Sequence, residues 1–248
     1  MTPRRRLFAA ALAFLLAAGG AAAQTPVDTA LVLIVDSSGS IDDNEFRLQK
    51  EGIAQAVTSP EVLAAIRSGS MRRLAIAYAE WGSPGGAATV VPWRIVDGPE
   101  AARRFADEVR AGARTTQSYN AIGDAIDHGV ALIAACPCQA IRSVIDVSGD
   151  GPDMRSLRPA RFARDEAVAA GITVNALAIL QTDARGLSGR PRLVEHYERD
   201  VIGGPGAFVM VAETRADFAD AMRRKLVLEI AALPVTPRRT VVDAAPVR

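Results

Sequence analysis

The sequence predicts an α/β fold: a doubly wound, mostly parallel sheet with helices on both faces and one antiparallel edge strand. Three observations predict it. Leu31-Val32-Leu33-Ile34-Val35 is an unbroken aliphatic run, the pattern of a strand buried on both faces. From residue 141 onward, aliphatic strand segments alternate with helical ones, which calls for parallel strands joined by crossover helices. Between these regions, residues 74–81 and 89–96 are strand-like runs joined by the turn cluster Gly82-Ser83-Pro84-Gly85-Gly86. Pro92 lacks the N–H that an interior ladder needs, so the second run belongs at an edge.

The remaining elements follow in order. Residues 42–59 place Phe46, Ile53, Ala54 and Val57 on one helical face, with Arg47, Lys50 and Glu51 toward water; Pro60 stops this helix. Residues 61–67 add a short helix, and residues 99–111 a longer one with Pro99 in its first turn. The polar loop Thr115-Thr116-Gln117-Ser118-Tyr119-Asn120 leads into a helix over residues 121–135. A strand over 141–147 ends in Ser148-Gly149-Asp150-Gly151. A helix over 159–170, a strand over 172–180, a short helix over 193–201 and a strand over 206–212 come next. A final helix over 215–232 takes Thr214 as its N-cap.

The ends differ from the body. Arg4-Arg5-Arg6 precedes an apolar run, residues 7–18, and then Ala21-Ala22-Ala23. That is the order of a secretory signal, with cleavage expected after Ala23. The run is too short to span a bilayer, and no other approaches the roughly 20 residues required. The expected organisation is a signal peptide over 1–23, one domain over 24–232 and a loosely ordered tail over 233–248, in a periplasmic or secreted protein. Removing the signal takes away three Arg and no acid, which moves the net charge from +1 to −2. That balance gives no reason to expect nucleic acid.

Open α/β sheets bind ligands in the crevice beyond the carboxyl ends of their strands. Asp36, Ser38 and Ser40 follow the first strand directly, and each offers a hard oxygen. One carboxylate and two hydroxyls on a turn suit Mg²⁺ or a similar cation, which keeps several waters. A plain Ser/Gly-rich turn, with Ser40 or Asp42 capping the next helix, explains the same residues. Asn120 just before a helix and Asp150 just after a strand can reach the same sheet edge. That convergence favours a site. The helices that begin after Ser40 and Asn120 are expected to add positive potential from their N-termini.

With these stretches in hand, the sequence resembles the von Willebrand factor type A (vWA) domain, whose metal-ion-dependent adhesion site (MIDAS) opens with Asp-x-Ser-x-Ser after the first strand. It is similar in particular to exported bacterial proteins carrying a vWA-like domain of unknown function. The matching stretches include Val35-Asp36-Ser37-Ser38-Gly39-Ser40, Ala121-Ile122-Gly123-Asp124, Val144-Ile145-Asp146-Val147-Ser148-Gly149-Asp150-Gly151 and Val201-Ile202-Gly203-Gly204-Pro205-Gly206. The resemblance implies a Rossmann-like fold and a binding module rather than an enzyme. It implies a divalent cation, Mg²⁺ before Mn²⁺ or Ca²⁺, held by Asp36, Ser38, Ser40, Asn120 and Asp150. It also implies a protein partner whose acidic side chain completes the metal's shell. The departure is at Asn120, where the family places Thr; Thr116 and Ser118 are the nearby substitutes. With so few carboxylates, the cation's dissociation constant is expected on the order of 10⁻⁴–10⁻³ M.

Other residues leave alternatives open. Asp146 interrupts an apolar strand, so it either orients a hydroxyl or water or pairs with a basic side chain on a packing helix. Cys136-Pro137-Cys138 lacks the Cys-x-x-Cys spacing of thioredoxin-like proteins and offers too few ligands for tetrahedral zinc; a local structural role remains. His128 and His196 read as surface or helix-packing residues, and Trp81 and Trp93 as core or edge cover. No Gly-x-Ser-x-Gly elbow, dinucleotide fingerprint or Gly-Lys phosphate loop is present. A Mg²⁺-dependent phosphoester hydrolase stays open in principle through Asp36 and Asp150. So does a structural envelope protein with a degenerate metal site.

Overall fold

In the computed structural model, described over residues 24–180, 190–231 and 241–243, seven strands form one sheet. They are β1 (Thr25–Asp36), β2 (Leu74–Trp81), β3 (Ala88–Val96), β4 (Cys138–Gly149), β5 (Ile172–Ile179), β6 (Val209–Ala212) and β7 (Val241–Asp243). Their spatial order is β3-β2-β1-β4-β5-β6-β7. Only the β2–β3 pairing is antiparallel, and β3 sits at the edge, as Pro92 requires. The pairing slips between Ile76↔Arg94 and Tyr78↔Val91, which places the irregularity at Pro92-Trp93. The predicted signal peptide lies outside the described residues. So does most of the tail, apart from Val241–Asp243, which pairs with β6.

Seven helices cover the sheet: α1 (Asp43–Thr58), α2 (Pro60–Ser68), α3 (Pro99–Ala111), α4 (Ile122–Ala134), α5 (Ala160–Ala169), α6 (Arg190–His196) and α7 (Phe218–Ile230). β1 shows why its aliphatic run is continuous. Leu31, Leu33 and Val35 join the core under α1, α2, α3 and α7. Val32 and Ile34 point the other way, into the core under α4 and α5. Alternate side chains serve opposite layers, so the central run Leu31–Val35 is aliphatic at every position.

Boundaries moved where local chemistry outweighed periodicity. Pro60 ends nothing by itself: Ser59 closes α1 and caps α2, its hydroxyl accepting from Val62 N at 3.2 Å, and Pro60 takes the first helical position. Thr214 is not an N-cap acceptor. Its backbone N–H and hydroxyl donate to the Asp217 carboxylate at 3.0 and 2.8 Å, and a 3₁₀ turn, Arg215–Asp217, precedes α7. The helix expected over 193–201 gives way after His196 to a π-turn, Tyr197–Val201. The strand expected from 206 begins at Val209, because Gly206 adopts φ +72°. Lys50 does not face water. It is buried, its ammonium donates to Gly112 O, and it lies 5.7 Å from the Phe46 ring centroid.

Cys136 and Cys138 form a disulfide between α4 and β4. Both sulfurs pack in a small cluster with Val27, Ala30 and Ala75 at the sheet's far end. Asp146 takes the second of its two readings: its carboxylate meets Lys225 Nζ of α7 at 2.9 Å, with both side chains fully buried.

Candidate metal centre

The chain leaves β1 for β2 on one side of the sheet and returns to β4 on the other, so the topological switch lies between β1 and β4. The register pairs Val35 with Ser148, which brings Asp36 and Asp150 to the same end. Asp36 is the last residue of β1 and fully buried. Its Oδ1 accepts from the Ser38 backbone N–H at 2.7 Å, the Asx geometry that turns the chain. Its Oδ2 is buried with no hydrogen-bond partner among the described residues. Ser38 Oγ and Ser40 Oγ lie 3.0 Å apart, and Ser40 Oγ donates to the Asp150 carboxylate at 3.3 and 3.4 Å. Burial, and then the Asp150 charge, push the Asp36 carboxyl up to about 7.

Asn120 completes the arc. Its side-chain Oδ1 is a second buried oxygen without a hydrogen-bond partner among the described residues. Its amide lies so close over Gly151 that a Cβ there would fall 2.6 Å from Nδ2. Asp36, Ser38, Ser40, Asn120 and Asp150 therefore share one end of the sheet. Thr116 and Ser118 stay exposed, and among the described residues neither hydroxyl bonds to this group. The donor set is all oxygen, and two of its buried atoms lack partners. Both properties fit a hard divalent cation. A cleft of about 370 Å³ opens from it, lined by Ser40, Asn120, Asp150, Gly151, Leu180 and Arg192 among others.

Several supporting residues carried little or no signal in the sequence. Arg114 reaches across from the loop after α3, and its guanidinium donates to Ser37 O, Ser38 O and Ile41 O at 3.2, 3.2 and 2.6 Å. Its other nitrogen pairs with the exposed Asp43 carboxylate at 2.7 Å, but the contacts that hold the turn go to backbone carbonyls, which no side-chain pattern reveals. Glu80, at the end of β2, is fully buried and accepts from Thr115 N and Oγ1 at 2.7 and 2.8 Å and from Tyr78 OH at 3.1 Å. Tyr197 donates to Gly151 O at 3.1 Å from beneath the Asp150 loop. The Trp81 indole donates to Ser148 O at 3.2 Å, which makes it core under the site.

The helix N-termini are not left open to an anion. Asp42 and Glu45 close a capping box on α1. The Asp153 carboxylate accepts from Ile122 N at 3.0 Å and Gly123 N at 3.4 Å on α4, and from Ala160 N at 2.9 Å on α5. Acidic caps offset the positive ends expected to favour an anionic ligand. His196 helps to hold this arrangement, with Nε2 accepting from Asp153 N at 2.9 Å and Nδ1 2.9 Å from Asp200. His128 Nε2 meets Thr89 Oγ1 at 2.9 Å. Both are packing residues.

The fold is that of vWA domains, and solved structures similar to the chain share it. Proximal thread matrix protein 1 from the mussel byssus superposes with a TM-score of 0.61 at 16% identity, over 84% of this chain and 49% of that one. The pilus adhesin SpaC from Lactobacillus rhamnosus GG gives 0.60 at 14% identity, over 84% of this chain and 31% of that one. The vWF domain of the type V pili tip protein Mfa5 from Porphyromonas gingivalis gives 0.57 at 11%, over 86% and 99%. The chain thus spans about half of the mussel protein and a third of SpaC. A further structure of the mussel protein, with a TM-score of 0.56, has a zinc-occupied MIDAS motif. No curated protein sequence matches the chain. Residues 26–234 match the family described as "Protein of unknown function (DUF1194)", and the chain belongs to it.

Proposed function

We propose that the chain is an exported binding module that holds one divalent cation at Asp36, Ser38, Ser40, Asn120 and Asp150 and binds an acidic side chain of a protein partner there. The observation that carries this reading is the buried, partnerless Asp36 Oδ2 beside a ladder of two hydroxyls and a second carboxylate. An ionised carboxylate left so is costly; a cation would satisfy it. Asp36 and Asp150 supply charge, Ser38 and Ser40 neutral oxygens, and the Asn120 carbonyl the position where the family places Thr. The bound cation would supply a positive, Lewis-acidic seat for a carboxylate from outside. Mg²⁺ leads, with Mn²⁺ and Ca²⁺ as alternatives; the zinc-occupied MIDAS of the mussel protein supports a divalent ion in general.

Binding, not turnover, is the proposed role: the Ser38 and Ser40 hydroxyls bond each other and Asp150 rather than a histidine. Export rests on the leader over residues 1–23, with cleavage after Ala23, a domain over 24–232 and a tail beyond it. Among the described residues, no helix is long and apolar enough to cross a membrane. The similarity to a pilus adhesin and to a pili tip protein supports a protein partner.

Isothermal titration of the chain from Gln24 onward with Mg²⁺, Mn²⁺ and Ca²⁺, beside Asp36→Ala checked for folding by melting, tests the reading. Saturable binding in the roughly millimolar range or tighter, lost in the variant, is expected. Wild-type protein that binds none of the three well above that range would overturn it.

A further inference from the structure

Seven large apolar side chains among the described residues are well exposed, and three of them stand on the two loops that carry Asn120 and follow Asp150. Tyr119, Met154 and Leu157 are 43%, 47% and 77% exposed. A cluster of this kind beside a site marks an interaction surface rather than incidental exposure.

The two loops are joined. Met154 N donates to Asn120 O at 2.7 Å, and the Arg155 guanidinium lies 5.4 Å over the Tyr119 ring centroid. Leu157 N donates to the Asp124 carboxylate at 3.1 Å, and its side chain lies near Gly85 of the β2–β3 turn. The second loop is fixed from within. Asp153 ties it to the first turns of α4 and α5, and Ser156 Oγ donates to Asp153 and accepts from Gly123 N at 2.9 Å. Arg155 sits in the left-handed region at φ +68°. A residue with a Cβ holds that conformation only when its surroundings impose it, and such positions gather at ligand clamps. The apolar rim is therefore presented on a rigid support, at little ordering cost to a partner.

Charge narrows the occupant. Arg155 on the rim and Arg192 on the cleft wall are cationic and favour an acidic segment. An acidic side chain alone would occupy the Ser40–Asn120–Asp150 cleft and leave Tyr119, Met154 and Leu157 wet. We infer that the rim selects protein segments in which the acidic residue is immediately flanked by a large apolar one, seated against Tyr119, Met154 and Leu157. This rests on the metal-dependent reading above and adds the chemistry of the partner.

The test pans a random dodecapeptide display library on the chain from Gln24 onward, in millimolar Mg²⁺ and again in EDTA. A double variant, Tyr119→Ser with Leu157→Ser, is panned in parallel; both side chains are exposed, and a melting curve checks its fold. The expected result is enrichment of Asp or Glu beside Phe, Leu, Ile or Met in Mg²⁺ only. In the double variant the acidic residue persists and the apolar neighbour is lost. Synthetic peptides from the selection should bind the double variant about tenfold more weakly, the effect of one well-buried apolar side chain. Acidic enrichment with no apolar neighbour would overturn this inference and leave the metal-dependent reading standing. Enrichment identical in Mg²⁺ and EDTA would overturn both. Wild-type self-association abolished by the double variant, with no peptide enriched, would assign the rim to a second copy and overturn the inference.

Discussion

Replacing Lys225 by Met tests the buried cluster that joins α7 to the sheet. Lys225 is fully buried, 2.9 Å from Asp146 of β4, and donates to Glu229 one turn further along α7. Asn175 of β5 donates to the same Glu229 oxygen at 2.8 Å, and Phe208 N donates to Asn175 at 3.2 Å. A second cation near Glu229, Arg142, donates to Thr29 Oγ1 at 3.1 Å and to the carbonyls of Glu229 and Ile230 at 2.6 and 3.3 Å. Two acids thus face one ammonium, and burial followed by the Asp146 charge raises the Glu229 carboxyl to about 7. The folded value lies above the ordinary 4.5, so the stability this group contributes is full below about 4.5 and is lost as pH rises through 7.

Met keeps the length of the side chain and removes its charge, leaving two carboxyls without their cation. Breaking a buried pair in this way costs roughly 3–5 kcal/mol. The cost should be largest near pH 8 and smaller near pH 5, because burial raises both carboxyls and protonation relieves the charge left without its cation. Urea titrations at the two pH values measure it. Adding Asp146→Asn and Glu229→Gln should remove the pH dependence. A Lys225→Met cost below about 1 kcal/mol, or one equal at both pH values, would refute the account.

Two further predictions concern residues around the candidate metal centre. Arg114→Ala should weaken Mg²⁺ binding by about tenfold, because three carbonyls of the Asp36–Ile41 turn lose the guanidinium that holds them; titration reads this, and Arg114→Lys should recover only part, lacking the planar fork. Asp153→Ala should destabilise the fold by about 1–3 kcal/mol, since backbone donors on two helices lose their acceptor together. A melting temperature within error of the wild type would contradict the capping role.

The sequence by itself determined β1 to β6, their order in the chain and most helices; β7 (Val241–Asp243) falls in the stretch read as a loosely ordered tail. Each of those depends on local periodicity and turn chemistry, and β1 shows it: a strand with a core on either side has no choice but unbroken aliphatics. Pro92 likewise placed β3 at an edge through a donor it does not have. The candidate ligands were legible because Asp36, Ser38 and Ser40 sit together at a strand end, and Asn120 and Asp150 at comparable junctions. Only the tertiary structure decided among contacts between residues far apart in the chain. Asp146 had two readings until Lys225, 79 positions away, reached it across the sheet. The bonds by which Arg114 and Asp153 hold the turn and the helix ends go to backbone atoms, and backbone atoms carry no sequence signature. Lys50 looked solvent-facing by helical phase, yet the Gly112 carbonyl at the end of the neighbouring α3 draws it inward. The helix N-termini expected to attract an anion are closed by Asp42 and Asp153, and the second of those caps exists only because the loop after β4 folds back over α4. Periodicity fixes which residues form an element; which distant polar groups then meet depends on how those elements pack.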